Sequence, residues 1–244
     1  MTASWTIHKG PGPLVATAIH DGQVLRPEVE HEMSLDRARR QREEDPHTGY
    51  WTCVAPTRVV VHRSRFECDL NRPRGNAVYR RPEDCWGLDV WRQPPSERML
   101  ERSRAFYDRF YRTVWSLLEE KLFAYPVVLV LDLHSYNHRR AGPGEPAASS
   151  RDNPQLNIGT GPLNKRRGGP RVADLRRGLR SAASPIGRWD VRENVRFQGG
   201  YFPRWIPQTF PERVCAVAIE VKKFFMDEWT GEVDRRMLEA VAAA

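Results

Sequence analysis

Membrane-spanning segments are missing from this 244-residue sequence. A span needs about 18–20 consecutive apolar residues, whereas the longest apolar run, residues 125–131, suits a single buried strand. The N-terminus also lacks the basic stretch followed by an apolar stretch that marks a secretory signal. We therefore expect no contact with a membrane and a cytoplasmic location.

Cysteine is scarce, with four residues that form no C-x-x-C pair: Cys53, Cys68, Cys85 and Cys215. In a chain without a visible export signal, we predict reduced thiols in the core rather than disulfides. The sequence also has no Walker loop, no G-x-G-x-x-G motif and no internal repeat. Because no change of composition marks a second domain, we predict one domain over residues 1–244.

Lysine is scarce as well, at only five positions, so arginine carries almost all of the net charge of +8. A positive field favours acidic partners, and arginine suits bidentate recognition of carboxylates. The basic residues alternate with Asp and Glu, and the aromatic residues form no regular stacking platform among them. This pattern disfavours a non-enzymatic nucleic-acid-binding protein, which is kept as an alternative.

Apolar runs alternate with helical patterns along the chain. Buried strands are predicted at residues 13–19, 58–62, 127–133 and 214–221, and helices at 34–44, 96–122, 172–183 and from 232. A long loop at 64–95 and a flexible loop at 141–150 separate some of them. Strands separated by helices predict an α/β fold with a mixed, mainly parallel sheet flanked by helices.

Three polar residues lie within or directly after predicted strands: His20, His134 and Glu220. In open α/β sheets, ligands bind at the carboxyl ends of the strands. Imidazoles and carboxylates are good zinc ligands, and a nearby Glu can take a proton from water as general base. Alternatively, the histidines are structural and Glu220 pairs with an arginine.

The carboxylates of Glu43, Glu44 and Asp45, where the polar helix ends, could supply a third metal ligand, although a charge run at such a place is more often a solvated helix end. An arginine-rich segment follows at residues 62–74. Its Arg65 and Arg72 could clamp a substrate carboxylate, and one of them could polarise a carbonyl group. The alternative is a basic surface loop with its own acidic partners.

Four short motifs occur in a fixed order: Ala18-Ile19-His20-Asp21-Gly22, Asp69-Leu70-Asn71-Arg72-Pro73, Leu131-Asp132-Leu133-His134-Ser135 and Ala218-Ile219-Glu220. Together they resemble the N-formylglutamate amidohydrolase family, whose members carry P-H-S/A-G, D-L-N-R, D-x-H-S and a late strand ending in Q/A-x-E. The segments 157–160 and 194–201 are similar to the family's G-T and N-x-P-Y-x-G-G segments. The resemblance covers about residues 13–230.

The resemblance implies a fold like that of zinc carboxypeptidases and one Zn²⁺ per chain. It implies that His20, His134 and either Asp45 or Glu44 hold the metal. It also implies that Glu220 is the general base and that Arg65 stabilises the oxyanion. The residues implied to bind substrate are Asn71 and Arg72, which would hold a carboxylate, together with Arg63 and Asn194.

The implied substrate is a small acidic N-acyl amino acid such as N-formylglutamate. The sequence departs from the family pattern in loops predicted to line the pocket: no proline precedes His20, and Ser135 is followed by Tyr136-Asn137-His138-Arg139-Arg140. A peptide or peptidoglycan amide is therefore an alternative substrate for the same metal site. The sequence does not predict the oligomeric state.

Overall fold

Seven strands form one sheet through the computed structural model, which describes residues 3–244 apart from the side chains of Lys165 and Arg167. The strands are β1 (Trp5–His8), β2 (Leu14–Ala18), β3 (Thr57–Val61), β4 (Val128–Tyr136), β5 (Leu156–Gly159), β6 (Val191–Glu193) and β7 (Val214–Lys222). They lie in the order β1-β3-β2-β4-β7-β5-β6. Two neighbouring pairs are antiparallel, β1 with β3 and β5 with β7, and the other four are parallel. The predicted mixed, mainly parallel sheet is confirmed.

Helices cover both faces of this sheet. They are α1 (Pro27–Glu32), α2 (Arg37–Glu43), α3 (Thr48–Trp51), α4 (Glu97–Ala124), α5 (Lys165–Ser181), α6 (Tyr201–Thr209) and α7 (Arg235–Ala243). The apolar core on one face joins α4 and α6 to the sheet, and the core on the other face joins α3, α5 and α7 to it. The predicted single-domain α/β fold is therefore confirmed.

Helix α4 begins and packs as its sequence predicts. The Ser96 hydroxyl accepts a hydrogen bond from the backbone N–H of Met99 (3.4 Å), which caps the first turn. Its buried face includes Phe106, Phe110 and Val114, which pack in the core against the sheet. Burial of each such side chain contributes about 1.5–3 kcal/mol, so this face stabilises the sheet that supports the site.

Short elements account for most of the differences from the prediction. The strands β1, β5 and β6 have only three or four residues each, too few to show a clear alternation. Helix α6 contains Pro203 and Pro207, which normally argue against a helix. Helix α5 starts seven residues before its predicted start, because Asn164 caps it upstream of Gly168, Gly169 and Pro170.

All four cysteines are free, but one of them is not a core thiol. Cys53 is exposed, since it lies in a short 3-10 turn (Thr52–Val54) after α3, and this corrects the prediction for that residue. Within residues 3–244, no helix combines the length and the apolar character that crossing a bilayer requires.

The loop after β4 is tied down at its base by Glu228. The buried Glu228 carboxylate accepts hydrogen bonds from the backbone N–H groups of His138 and Arg139. The adjacent His138 ring is largely buried, and burial, together with the charges of Lys222 and Arg139, lowers its pKa to about 4. His138 is therefore neutral in the folded protein at neutral pH.

Acidification is expected to destabilise the protein through His138. Between pH 6.5 and 4 the unfolded chain binds a proton at this histidine and the folded chain does not, so stability is lost as the pH falls through this window. We expect a loss on the order of 2 kcal/mol. Denaturant unfolding at pH 7 and pH 4.5 should show a smaller loss in His138→Gln than in the wild type. Equal losses in the two proteins would contradict this assignment.

The sheet brings the predicted polar residues to one edge. In the register of the parallel strands, His134 of β4 lies beside Glu220 of β7, and Thr17 of β2 lies beside Asp132 of β4. Strand β2 ends two residues before His20. The carboxyl ends of β2, β4 and β7 therefore converge, as expected for a ligand-binding edge in this class of fold.

Candidate active site

Two imidazoles from separate strand ends face each other at this edge. The ring centroids of His20 and His134 lie 4.9 Å apart, and both side chains are buried. Asp45, which follows α2, lies between them, with its Oδ2 atom 2.9 Å from His134 Nδ1 and 3.3 Å from His20 Nδ1. One ligand atom from each of these three residues lies within 4.8 Å of the others. A group of ligand atoms this close together could hold a metal ion.

Asp45, rather than Glu44, faces the imidazoles. The Glu44 carboxylate accepts a hydrogen bond from the Ser64 hydroxyl and is buried away from both histidines. Burial raises the pKa of Glu44 to about 7. The sequence left these two neighbouring carboxylates as alternatives, and the geometry places only Asp45 in the group of three.

A second ring of carboxylates orients the two histidines. The Nε2 atom of His20 lies 2.7 Å from Asp69 Oδ1, and the Nε2 atom of His134 lies 2.8 Å from Asp132 Oδ2. Because an ionised carboxylate only accepts hydrogen bonds, each imidazole donates its Nε2–H outward. A ring that carries its only proton on Nε2 has its Nδ1 lone pair directed towards Asp45, the arrangement by which outer carboxylates orient histidine ligands of metals.

These outer carboxylates are themselves held in place. The Thr17 hydroxyl donates to Asp132 Oδ1 (2.7 Å). Asp69 accepts hydrogen bonds from the backbone N–H of Asn71 (2.8 Å), from Arg65 Nη2 (2.9 Å) and from the Tyr79 hydroxyl. Burial opposes ionisation of Asp69, but the charges of Arg65 and His20 outweigh it and hold its pKa well below the usual range. The contacts at their Nε2 atoms therefore fix the orientation of both imidazoles.

The group of three fits a divalent cation. Within residues 3–244, the buried Nδ1 atom of His20 has no hydrogen-bond partner, and a buried polar atom left unpaired costs about 1–3 kcal/mol. Burial also disfavours the charge of Asp45, but its interactions with the adjacent His134 and His20 rings outweigh burial and hold its pKa well below the usual range, so Asp45 is ionised. Two imidazole nitrogens and one carboxylate are a ligand set that suits catalytic zinc, with one position left for water.

Glu220 lies next to this group without belonging to it. It is buried at the end of β7, beside His134 in the register of the sheet. Burial raises its pKa to about 7, although the nearby charge of His134 acts in the opposite direction. The largest charges acting on it are those of His134 and Asp45, rather than that of an arginine. Its position and pKa are those expected of a general base.

A cleft of about 200 Å³ opens over these residues. Besides the group of three and Glu220, its walls include Arg65, Asn71, Trp86 and Arg140. The guanidinium of Arg65 lies 4.9 Å from the Trp86 ring centroid, and that of Arg140 lies 5.9 Å from it. The cleft is therefore a small, partly aromatic pocket with two guanidiniums in its wall, which suits a small anionic ligand.

Arg65 and Asn71, to which the family resemblance gives roles in the reaction, both lie in the wall of the cleft. Arg65 donates to Asp69, to the Tyr79 hydroxyl (3.2 Å) and to the Glu43 carbonyl (3.2 Å), which fixes its guanidinium. The side-chain oxygen of Asn71 accepts the backbone N–H of Phe202 (2.9 Å).

The close approach of Asn71 requires a glycine at position 200. A Cβ atom on Gly200 would lie 2.2 Å from the Asn71 amide, which is far too close for any side chain. Gly200 and its neighbours at 197–199 form part of the same cleft wall. The glycine-rich segment therefore lets the backbone pack directly against Asn71.

Three residues that the family resemblance implies to bind substrate do not line this cleft. Arg72 donates to the Asp84 carbonyl (2.9 Å) and lines a separate surface pocket. Arg63 pairs with Glu67 (3.5 Å). Asn194 has a left-handed backbone (φ 54°), and its amide is bound to Thr160 in both directions. Contacts within the fold therefore direct all three side chains away from the pocket.

Several residues of the site were given no individual role by the sequence. Arg140 lines the cleft and makes a paired contact with Glu43 (3.0 and 3.2 Å). Asn157 accepts three successive backbone N–H groups from residues 195–197 and so shapes the opposite wall. Lys223 is buried in the cleft lining, and burial lowers its pKa to about 8. Two of them carried a usable signal: Arg140 lies in a loop predicted to line the pocket, and Lys223 is a lysine directly after a buried strand.

Comparison with known proteins identifies a family and a fold. The model of the family described as N-formylglutamate amidohydrolase matches residues 12–226. Among solved structures, the chain is similar to an N-formylglutamate amidohydrolase from Ralstonia eutropha JMP134, with a TM-score of 0.76 and 19% identity, covering 99% of this chain and 95% of that one. It is also similar to a gene product of Agrobacterium tumefaciens, with a TM-score of 0.67 and 17% identity, covering 98% of this chain and 91% of that one. No curated protein sequence matches.

At these identities the two solved structures establish a shared fold. The family model covers most of the chain, and the resemblance drawn from the four sequence motifs is confirmed. The chain belongs to the N-formylglutamate amidohydrolase family.

Proposed function

We propose that this protein is a metal-dependent hydrolase that cleaves the amide bond of a small N-acyl amino acid, with N-formylglutamate as the reference substrate and one Zn²⁺ per chain. The observation that carries the proposal is the convergence of His20 Nδ1, His134 Nδ1 and Asp45 at one point, beside Glu220. Membership of an amidohydrolase family supports the type of bond that is cleaved.

Glu220 carries out the proton transfers of the proposed reaction. A zinc ion held there would supply Lewis acidity and lower the pKa of a water molecule towards 7. Glu220 takes the proton from the attacking water at its carboxylate and delivers it to the nitrogen of the departing amine. The raised pKa of Glu220, about 7, suits a group that must both accept and donate a proton near neutral pH.

Arg65 is placed to stabilise the oxyanion of the tetrahedral intermediate. Three of its five N–H groups make hydrogen bonds to Asp69, Tyr79 and Glu43, so the guanidinium is fixed before substrate binds. It lines the cleft and can direct a remaining N–H group into it. A donor fixed in advance stabilises developing charge without the cost of reorganisation.

We assign binding of the substrate carboxylate to Asn71 and Arg140, whereas the family resemblance implied Asn71 and Arg72. Both line the cleft, whereas Arg72 does not. The side-chain oxygen of Asn71 accepts a hydrogen bond from the backbone N–H of Phe202, so its NH₂ group remains as the donor towards the pocket. Arg140 is partly exposed and adds a positive charge at the Trp86 side of the pocket.

Replacing Asp132 with asparagine is expected to weaken zinc binding by about 10- to 100-fold. An asparagine can no longer fix the Nε2 proton of His134 with a charged acceptor, so the ring loses its orientation and basicity. Chelator competition on the apo-protein measures this change. Thr17→Val, which removes only the hydroxyl that holds Asp132, should cause a smaller loss. Unchanged affinity in Asp132→Asn would contradict the outer-carboxylate role.

An assay panel tests the proposed function. Purified protein is mixed with N-formyl-L-glutamate, N-acetyl-L-glutamate, a dipeptide and a peptidoglycan-type muropeptide, and the released amine is measured. We expect hydrolysis of N-formyl-L-glutamate that is lost on chelation and restored by Zn²⁺. Preference for the peptide or muropeptide amide would favour the alternative substrate class. Salt-sensitive binding of nucleic acid without hydrolysis would contradict the enzymatic proposal.

A further inference from the structure

Lys223 is a buried cation that the reaction described above does not use. Its side chain is only 1% exposed, yet no carboxylate of the described chain forms an ion pair with it at hydrogen-bond distance. The ammonium instead donates to two backbone carbonyl groups, those of Arg42 and Glu44 (2.8 Å to the latter). A buried ammonium is costly, so its retention here calls for a role.

The two carbonyl groups lie where α2 ends. The last carbonyl groups of a helix have no partner within the helix, and a lysine can satisfy them while its charge complements the helix dipole. Helix α2 ends at Glu43, and Asp45 follows two residues later. Lys223 therefore binds the segment that carries one of the three proposed metal ligands.

The peptide group that joins Glu44 to Asp45 makes hydrogen bonds on both of its sides. Its carbonyl oxygen, that of Glu44, accepts the hydrogen bond from Lys223, and its N–H group, that of Asp45, donates to the His20 carbonyl (3.0 Å). The plane of this peptide therefore lies between Lys223 and the backbone of another proposed ligand. Since the peptide plane sets the direction in which the Asp45 side chain leaves the backbone, these two bonds orient the carboxylate.

Lys223 is itself attached to a rigid part of the fold. It directly follows β7, and its backbone N–H donates to the Tyr136 carbonyl at the end of β4 (3.0 Å). The same two strands carry Glu220 and His134. Lys223 thus connects the position of Asp45 to the strands that carry the other catalytic groups.

We propose that Lys223 is a positioning residue that holds Asp45 in its metal-binding orientation by anchoring the Glu44–Asp45 peptide to the ends of β4 and β7. The inference rests on the proposed metal site and adds a residue to it. A metal site needs its ligands held to within about 0.5 Å, and loss of a supporting hydrogen bond typically costs 10- to 100-fold in metal affinity. A merely structural role for Lys223 would lower stability without a specific loss of affinity.

The chain offers a matched control in Lys121. This lysine of α4 is also buried, and its ammonium also donates to two backbone carbonyls, those of Gly10 and Gly12, outside the cleft. Lys121→Met removes the same kind of buried interaction as Lys223→Met but leaves Asp45 untouched. The two variants therefore separate a general loss of stability from a loss of ligand orientation.

The experiment measures the Zn²⁺ dissociation constant of apo-protein by competition with a chromophoric chelator, and the thermal midpoint of the same samples. We expect Lys223→Met to bind Zn²⁺ about 10- to 100-fold more weakly than the wild type, and Lys121→Met to remain within about twofold although its midpoint also falls. Lys223→Gln keeps a neutral donor, so its Zn²⁺ affinity should lie between those of the wild type and Lys223→Met. It can be measured even if Lys223→Met does not fold.

Two results would overturn the inference. One is Zn²⁺ binding within twofold of the wild type in Lys223→Gln and, where it folds, in Lys223→Met. The other is an equal loss of affinity in Lys121→Met, which would show a general effect of stability. Absence of Zn²⁺ binding in the wild type is a different outcome, since it would remove the proposed metal site itself and with it the role of Lys223.

Discussion

Replacing Glu220 with glutamine is expected to lower kcat by about 10²- to 10⁴-fold while the protein still binds one zinc ion. Glutamine has nearly the same shape as glutamate but cannot accept a proton from water, so only the proton transfer is lost. Glu220 lies beside His134 in the sheet and outside the group of three proposed ligands, which is why metal binding should survive. Steady-state kinetics and elemental analysis of the same sample measure the two quantities.

The control for this variant is a second buried glutamate with a similarly raised pKa. Burial raises the pKa of Glu44 to about 7, as it does for Glu220, but the Glu44 carboxylate is bound to Ser64. Glu44→Gln should therefore leave kcat within a few-fold of the wild type. A Glu220→Gln protein that keeps full kcat with bound zinc would show that another group removes the proton.

Replacing Asp45 with asparagine is expected to abolish stoichiometric zinc binding, with a loss of affinity greater than about 100-fold, and to abolish activity with it. A neutral amide is a poor zinc ligand. The loss of zinc affinity should therefore exceed the 10- to 100-fold loss expected when a residue that only supports a ligand is changed. The variant also removes the negative charge that lies 2.9 Å from His134 Nδ1. Zinc content after gel filtration and chelator competition both measure the effect.

Comparison with Glu44→Gln decides between the two carboxylates that the sequence could not separate. The two residues are adjacent and both are buried, so a nonspecific effect of altering this segment would appear in both variants. We expect zinc binding to be lost only in Asp45→Asn. Loss in Glu44→Gln with retention in Asp45→Asn would identify Glu44 as the ligand and contradict the geometry described here.

The parts of the site that were predictable are those fixed by the strand pattern. His20, His134 and Glu220 interrupt or follow apolar strands, and parallel strands bring their carboxyl ends to one edge, so these three residues could be expected to converge. The long helix α4 and the central strands were predictable for the same reason, since their periodic apolar residues extend over many positions.

The direction of individual side chains in loops was not predictable. Asn71 and Arg72 are neighbours in one motif, yet Asn71 faces the cleft and Arg72 faces Asp84. The difference arises from distant partners: Phe202 binds the Asn71 side chain, and Tyr107 of α4 donates to the Arg72 carbonyl (3.0 Å). Spacing along the sequence contains no information about contacts of this kind.

For the outer carboxylates, the sequence can predict a contact within one strand but not a contact that depends on the path of a loop. Acidic partners within the basic loop were the alternative interpretation of residues 62–74, and Asp69 does pair with Arg65. Its contact with His20, 49 positions away, depends on how the loop returns to the sheet. Asp132 lies two residues before His134 on one strand and so faces the same side, a relation that the alternation of a strand could have predicted.

The most direct measurement is anomalous diffraction at the zinc edge from crystals of the wild-type protein supplied with one equivalent of Zn²⁺. The account predicts a single strong peak bonded to His20 Nδ1, His134 Nδ1 and a carboxylate oxygen of Asp45, at about 2.0–2.2 Å from each. Glu220 should lie near the peak but outside bonding distance. A peak elsewhere, or no peak in protein that still hydrolyses the amide, would contradict the account.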